Sequence, residues 1–427
     1  MKKSSIKTGN RILSFLLVMF ILLLFFTPSS YVSAEEIVAT QETLHEIRMN
    51  ATVDLNNQLQ STIAVNHEYP DDYAGAYKDE EGNLIIGVTN EEAISKYQEI
   101  LSSQIITEAL DQSRNLVRSS DYHIGINAPI SSNELVQYEV MPYSYNEIFA
   151  VHMLLGHAMW DLGISKTAII DSENKLYVTL NSGTSAQSVL DYISSNGYSC
   201  DFVVFEDTND QNLLEQEYEE NQKSNTHEPS ITSSEKVIYS GEHVEVDGGG
   251  GTVGFAALYN GKFGYVTAGH VAIGTCYLDN RNYSGVPMIS RNSGYGDFAF
   301  IPNSEGMKVR SVVDIGSVLI DLSGTTTLAQ GDSIKTYGSV TRRQQTGKVL
   351  SSSINHTGSV TGKVYYDVLE ISQIVAHGDS GGPAYINYDL VGIIHSVDDE
   401  YNPTSSYICK YNNIRSYGVS FVSSNIL

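Results

Sequence analysis

The sequence is sparing in three things: cysteine, positive charge and long apolar runs. Its 427 residues hold three cysteines, Cys200, Cys276 and Cys409, all far apart in the chain. That spacing gives no metal-ligand cluster, so we expect no bound metal and no cofactor. Lys and Arg number 25 against 50 Asp and Glu, a net charge of −25. Such a surface disfavours nucleic acid or an anionic membrane as partner. One apolar run, Ile12 to Phe26, is long enough to notice. Its 15 residues fall short of the ~20 that a spanning helix needs. With Lys2, Lys3, Lys7 and Arg11 before it and Val32-Ser33-Ala34 after it, residues 1–34 read as a cleaved signal peptide, and the protein as secreted.

The acidity is not spread evenly. Residues 35–228 carry 33 acidic and 8 basic side chains, a balance of −25, whereas residues 229–427 carry 17 and 13, a balance of −4. Residues 35–205 nevertheless read as a folded α+β domain. Leu84 to Val88 is a strand; Thr89-x-x-Glu92 is a capping-box pattern opening an amphipathic run through Ile94, Tyr97, Ile100, Leu101, Ile105 and Leu110. A second capping box, Ser144-x-x-Glu147, precedes an apolar helix over 148–162. A hairpin at 168–180, a short helix near 186–193 and a strand at 202–205 follow. His152 and His157 stand five apart, not the four that sets two ligands on one helix face, and read as structural. Residues 206–234, rich in Glu, Asn, Gln, Asp, Ser and Thr, form an exposed acidic linker with a maturation site in or near it.

From 235 onward the pattern is short strands and turns. Phe255 to Tyr259, the dipeptide Asn260-Gly261 and Phe263 to Val266 predict a β-hairpin with a type I′ turn. Further strands are expected at 309–313, 317–322, 333–337, 347–351, 363–371 and 390–394, a density that indicates an all-β barrel or sandwich. Three motifs stand at strand ends: Thr267-Ala268-Gly269-His270, Gly294-Tyr295-Gly296-Asp297-Phe298-Ala299, and Gly378-Asp379-Ser380-Gly381-Gly382-Pro383. A serine hydroxyl is a weak nucleophile and needs a base, a group to orient that base, and donors for an oxyanion. His270, Asp297 and Ser380 can play base, orienter and nucleophile, and the amides of Gly378 and Ser380 the oxyanion hole. The last motif also fits G-x-S-x-G, but that hydrolase elbow requires the order Ser…Asp…His and a helix after the serine. After Ser380 the only histidine is His395, preceded only by Asp389, and Pro383, Tyr385, Ile386 and Tyr388 do not read as a helix.

T-A-G-H, G-D-x-A and G-D-S-G-G-P in this order resemble the chymotrypsin-like serine endopeptidases, above all the secreted bacterial branch of streptogrisins and α-lytic protease, over Val237 to Leu427. The resemblance implies an all-β double β-barrel (chymotrypsin-like) catalytic domain over 235–427 behind an α+β pro-domain that acts as folding catalyst and inhibitor. Asp79 to Val88 and Asp171 to Leu180 are similar to the pro-regions of that branch. It further implies peptide hydrolysis through an acyl-enzyme, protein or peptide substrates, a monomer, and an inactive precursor if the leading domain lies across the cleft. The other reading is a non-catalytic binding homologue on the same barrels. In the family a cation holds the aspartate before the nucleophile, and Arg342 or Arg343 would serve Asp379. The position that is Asp in trypsin-like members is Ile374, which disfavours cleavage after basic residues. His395 and Ser396 resemble the specificity residues of glutamyl endopeptidases, or else His395 takes the place of the serine that orients the triad aspartate. An apolar or an acidic side chain before the scissile bond is therefore expected. Cys276 and Cys409 are the pair that could form a disulfide within the mature enzyme.

Overall fold

The computed structural model describes residues 34–64, 68–119, 130, 132–207, 236–358, 362–398 and 403–423. The expected signal peptide, all but Ala34, and the expected linker from residue 208 to 234 lie outside the described residues.

The leading segment builds two small cores. In the first, the helix Ala34–Ile63 packs on the helix Ser103–Ser119 and on a sheet ordered Tyr73–Lys78, Leu84–Val88, Val136–Val140. Ile47, Ala51, Leu55, Leu59 and Ile63 recur every four residues, line one face and are buried. Each leucine or isoleucine so buried contributes ~1.5–3 kcal/mol. That helix was not anticipated from the sequence. The amphipathic run after Leu84–Val88 is also broken rather than continuous. A short 3-10 turn, Glu91–Ala93, leads to the helix Ile94–Ile100, which ends at Leu101 before Ser103–Ser119 begins. Its cap is Asn90, whose side chain accepts from the Ala93 amide, and not Thr89.

The second core sits under the helix Tyr145–His157. Here the capping box between Ser144 and Glu147 is formed in both directions. The helix covers a sheet of Ile164–Ile170, Lys175–Leu180 and Val203–Asp207, with Ala186–Ser195 alongside. The last strand includes Glu206 and Asp207, so ordered structure runs slightly past the expected start of the linker.

Residues 236–423 form the expected pair of β-barrels. In the first, three sheets of five, four and three strands surround a core that includes Ile238, Val244, Tyr265, Ala299 and Ile301. The hairpin Phe255–Tyr259 with Lys262–Thr267 has the predicted register, Tyr259 opposite Lys262, and both turn residues, Asn260 and Gly261, have positive φ. The second barrel closes as a ring. Ser333–Tyr337 pairs with Pro383–Ile386, then Asp389–Val397, Ser406–Lys410, Val364–Ile371 and Gln344–Thr357, which returns to Ser333–Tyr337.

Gln344–Thr357 also carries the leading domain. Its 14 residues outlast the barrel wall, and Ser353 to His356 pair antiparallel with Ile169 to Lys166. The sheet thus runs without a break from the second barrel into the α+β domain. A second join is a buried ion pair between Lys78 and Asp332, both side chains fully inaccessible. The Lys78 ammonium also donates to the Met49 carbonyl at 2.8 Å, and Asp332 accepts from the Ala329 amide at 2.7 Å.

The cysteine expectation is overturned. All three are free thiols. Cys276 packs in the core of the first barrel, and Cys409 in a different cluster with Phe255, Tyr385 and Ile414. They serve as small apolar core residues, and burial pushes their thiols up to about 11 and about 12.

Because Lys78 lies in the leading domain and Asp332 in the barrel, Asp332→Ala leaves an uncompensated buried ammonium. We expect a loss of ~3–5 kcal/mol, read as a lowered urea midpoint of the full-length chain carrying Ser380→Ala. Lys78→Met combined with Asp332→Leu should recover most of it.

Candidate active site

The strand Lys262–Thr267 pairs with Gly296–Pro302 so that Thr267 faces Ala299. Asp297 therefore stands two residues before that pair, where the partner chain turns toward His270. A side chain at Gly269 could not be accommodated, since a Cβ there would meet the Arg291 carbonyl oxygen at 1.8 Å. The Asp297 carboxylate, 1% exposed, accepts at Oδ1 from the His270 amide at 2.8 Å. Its Oδ2 accepts from the His270 Nδ1–H at 2.7 Å. Burial opposes the charge on both partners, but their attraction prevails: it holds Asp297 well below the usual carboxylate range and raises His270 above 6.5.

Ser380 comes from the second barrel, in the tight turn before Pro383–Ile386. The Gly381 amide donates to the Ile394 carbonyl and the Ile394 amide to Gly382, both at 2.8 Å, which pins this turn to Asp389–Val397. Gly378 has φ +91°, a conformation glycine adopts readily. Among the described residues neither the Gly378 nor the Ser380 amide has an acceptor. The Ser380 hydroxyl donates to the His395 carbonyl at 3.4 Å. It shares a cavity of about 500 Å3 with the His270 ring, and no described residue before 236 lines that cavity.

The structure joins His270 to Asp297 and sets Ser380 on the cavity that the His270 ring lines; Gly378 is two residues before Ser380 in the same turn and is not among the residues lining that cavity. It corrects the expected partner of Asp379. That side chain is fully buried and accepts from three backbone amides, Val340 and Thr341 at 3.0 Å and Ala376 at 3.1 Å. Neither Arg342 nor Arg343 pairs with it among the described residues; the Arg342 Nε donates to the Ser339 carbonyl. Peptide dipoles do the work that a cation was expected to do. Ile374 is 45% exposed and does not line the cavity, whereas Val375, Ala376 and His377 do.

His395 and Ser396 both line the cavity. His395 is buried, and its Nδ1 donates to the same Asp297 Oδ2 at 2.6 Å. It thus occupies the aspartate-orienting place that the sequence left open. Behind it lies His356, which sequence reasoning missed, with its Nε2 at 3.0 Å from the His395 Nε2. A histidine one residue from the end of a 14-residue strand gives no motif; only the fold brings it near Asp297. His270, Asp297 and His395 are the group among the described residues whose ligand-type atoms converge within 4.8 Å, and the two Nδ1 atoms and the shared Oδ2 are already joined by hydrogen bonds. His152 lies far along the chain from this set, fully buried with Thr167 and Ser353 on its two ring nitrogens, and His157 stacks edge-on to Tyr366.

The family model described as Pro-like N-terminal domain matches residues 40–114. No curated protein matches the chain. Among solved structures, it is similar to Thermobifida fusca protease A (19% identity, 44% of this chain and 100% of that one, TM-score 0.40). It is also similar to a Nocardiopsis protease (22%, 44% and 99%, TM-score 0.39). A third is a glutamic acid-specific serine protease described as using a histidine triad in substrate binding (21%, 43% and 100%, TM-score 0.39).

The His270 ring should titrate above 6.5 by NMR of its ring protons, and Asp297→Asn should move that titration down, since the amide offers no negative charge. An unchanged titration would contradict the electrostatic assignment.

Proposed function

We propose that this chain, an α+β leading domain with a Pro-like segment ahead of a double β-barrel, is the precursor of a secreted serine endopeptidase. The observation that carries the reading is that the His270 ring, bonded to Asp297, and Ser380 line one cavity, with the Gly378 and Ser380 amides unengaged in the same turn. His270 takes the Ser380 proton as the hydroxyl attacks the scissile carbonyl. Asp297 fixes the imidazole as the Nδ1–H tautomer and stabilises the imidazolium that forms. The Gly378 and Ser380 amides donate to the tetrahedral oxyanion. The imidazolium then protonates the leaving amine, and water, activated by the same ring, hydrolyses the acyl-enzyme.

In the structure, Ser380 and His270 share the cavity but are not hydrogen-bonded to each other, so attack requires the hydroxyl to turn from the His395 carbonyl to the His270 Nε2. That rotation fits a precursor whose catalytic contacts tighten on substrate binding. The leading domain, joined to the second barrel by strand pairing and by Lys78, acts as a folding template; none of its described residues lines the cavity beside Ser380. Cleavage in or near 208–235 separates the two.

A peptide-library digest with protein produced from the full-length chain, read by mass spectrometry, tests this. Cleavage is expected, and Ser380→Ala should abolish it. No cleavage from either form, together with no labelling of Ser380 by a serine-reactive phosphonate, would leave the binding-homologue reading. Asp297→Asn should reduce turnover by ~10⁴, as expected when the base is held in the wrong tautomer. Rates should rise with pH as His270 loses its proton, with the midpoint above 6.5 because the charged ring is favoured by Asp297.

A further inference from the structure

The turn before Ser380 is built around a residue that cannot stiffen itself. Gly378 has φ +91° and admits no side chain, since a Cβ there would meet the Val340 Cγ2 at 2.6 Å. Glycine passes readily between backbone conformations, so a turn that must keep the Gly378 N–H free beside Ser380 has to be held from outside. Downstream, the Asp379 amide donates to the Ala376 carbonyl at 3.0 Å. The Gly378 carbonyl is held by groups that lie outside the three catalytic motifs.

Those groups are the hydroxyls of two buried residues, Thr252 Oγ1 and Ser339 Oγ, at 2.8 and 3.2 Å from it. Thr252 ends the strand Gly249–Thr252 of the first barrel, and Ser339 lies in the hairpin after Tyr337 in the second. Each hydroxyl has one proton to give. With the Thr252 proton on the Gly378 carbonyl, the Ser339 proton serves the Gly251 carbonyl at 3.2 Å, and the Ser339 amide donates to Thr252 Oγ1 at 3.0 Å. Every group of the set is then paired. The Ser339 oxygen also lies 2.9 Å from Thr252 Oγ1 and 3.3 Å from the Nδ1 of the exposed His243.

Thr252 is the better connected of the two. Its amide donates to the Ser380 carbonyl at 2.9 Å, so one residue holds the carbonyls on both sides of Asp379. Its own carbonyl accepts from the Thr267 hydroxyl at 2.8 Å, and Thr267 ends the strand Lys262–Thr267, three residues before His270. The backbones are in close contact here: a Cβ at Gly381 would meet the Thr252 carbonyl oxygen at 2.5 Å.

Taking from the endopeptidase reading the use of the Gly378 N–H as an oxyanion donor, we infer that Thr252 and Ser339 are the positioning residues of that donor. They fix the Gly378 carbonyl, and with it the rotation that would otherwise let the N–H leave its working direction. Neither touches substrate. The oxyanion hole is thus assembled by both barrels, and Thr252 ties it to the strand that delivers His270, which sets base and oxyanion donor in one frame. A donor aligned beforehand needs no reorganisation as charge develops, whereas one that must be turned into place loses that advantage. The effect therefore falls on the transition state, where the oxyanion exists, and little on substrate binding.

The test is steady-state kinetics of protein produced from the full-length chain, on a peptide that the parent cleaves, for Thr252→Ser, Thr252→Val and the pair Thr252→Val with Ser339→Ala. The pair should lower kcat by ~10²–10³, the loss that follows when one oxyanion donor is disabled, with KM unchanged. A peptide aldehyde adds to the Ser380 hydroxyl as a hemiacetal whose oxygen takes the oxyanion's place; its affinity should weaken by the same factor, and that of the matching peptide amide should not. Thr252→Ser keeps the hydroxyl and should keep most of kcat. An unaltered kcat in the pair, an equal loss in Thr252→Ser, or a change in KM alone would overturn the inference. If Thr252→Val does not fold, Thr252→Ala is read in its place. If the parent itself neither cleaves nor labels with the phosphonate, the endopeptidase reading fails, and crystal structures of the parent and the paired variant decide the rest: a Gly378 peptide turned in the variant sustains the positioning role, and an unmoved one ends it.

Discussion

One buried carboxylate organises the functional half of this molecule. Asp297 is withdrawn from water in the first barrel and made tolerable there by three N–H donors: the His270 amide, the His270 ring and the His395 ring. A buried charge is costly unless paired and hydrogen-bonded. Here the pairing spans both barrels, since His270 follows a strand of the first and His395 lies on a strand of the second. Satisfying Asp297 therefore also fixes the relative position of the barrels at the cleft where Ser380 lies. Asp379, the other buried carboxylate of the site, is satisfied differently. Its three amides come from the hairpin after Tyr337 and from its own turn, which locks the Gly378 peptide in the conformation that leaves its N–H free.

The three candidate residues stood out because they sit in short, glycine-bearing motifs whose composition announces a turn at a strand end. His270, Asp297 and Ser380 each carry their local context with them. The hairpin at Asn260-Gly261 was legible for the same reason: positive φ at both positions restricts which residues can be used. The capping box at Ser144 was equally local. What failed was what depends on contacts distant in sequence. Asp379 looked as if it needed a cation, because the count of backbone amides available to a buried carboxylate is a property of the folded turn. Cys276 and Cys409 looked pairable because only the fold reveals that they fill separate cores. The helix Ala34–Ile63 was overlooked because its four-residue repeat of apolar positions lies among polar residues that blur the pattern.

His356 is the clearest case of what the sequence could not offer. Nothing near it suggests chemistry, and its strand, Gln344–Thr357, has two unrelated duties. One end closes the second barrel; the other pairs with the leading domain. His356 lies in the second part, opposite Lys166, while its ring points back to His395. The strand that docks the leading domain is thus also the strand that carries the floor of the cavity.

That shared strand has a physical consequence for maturation. While Ile164–Ile170 is paired with it, the backbone of Ser353 to His356 is held in register and shielded. The His152 ring and the Asn355 amide add side-chain bonds across the same boundary, His152 to Ser353 at 3.3 Å and Asn355 to the His152 carbonyl at 2.9 Å. Departure of the leading domain would leave those backbone groups an exposed edge, which is costly unless water or a bulge relieves it. The cavity floor is therefore carried by a strand whose edge is templated by the leading domain. The strand's pairing with Val364–Ile371, the bond from His356 to His395 and the ring contacts of His356 with Tyr365 and Tyr407 all lie within the second barrel and do not depend on the leading domain.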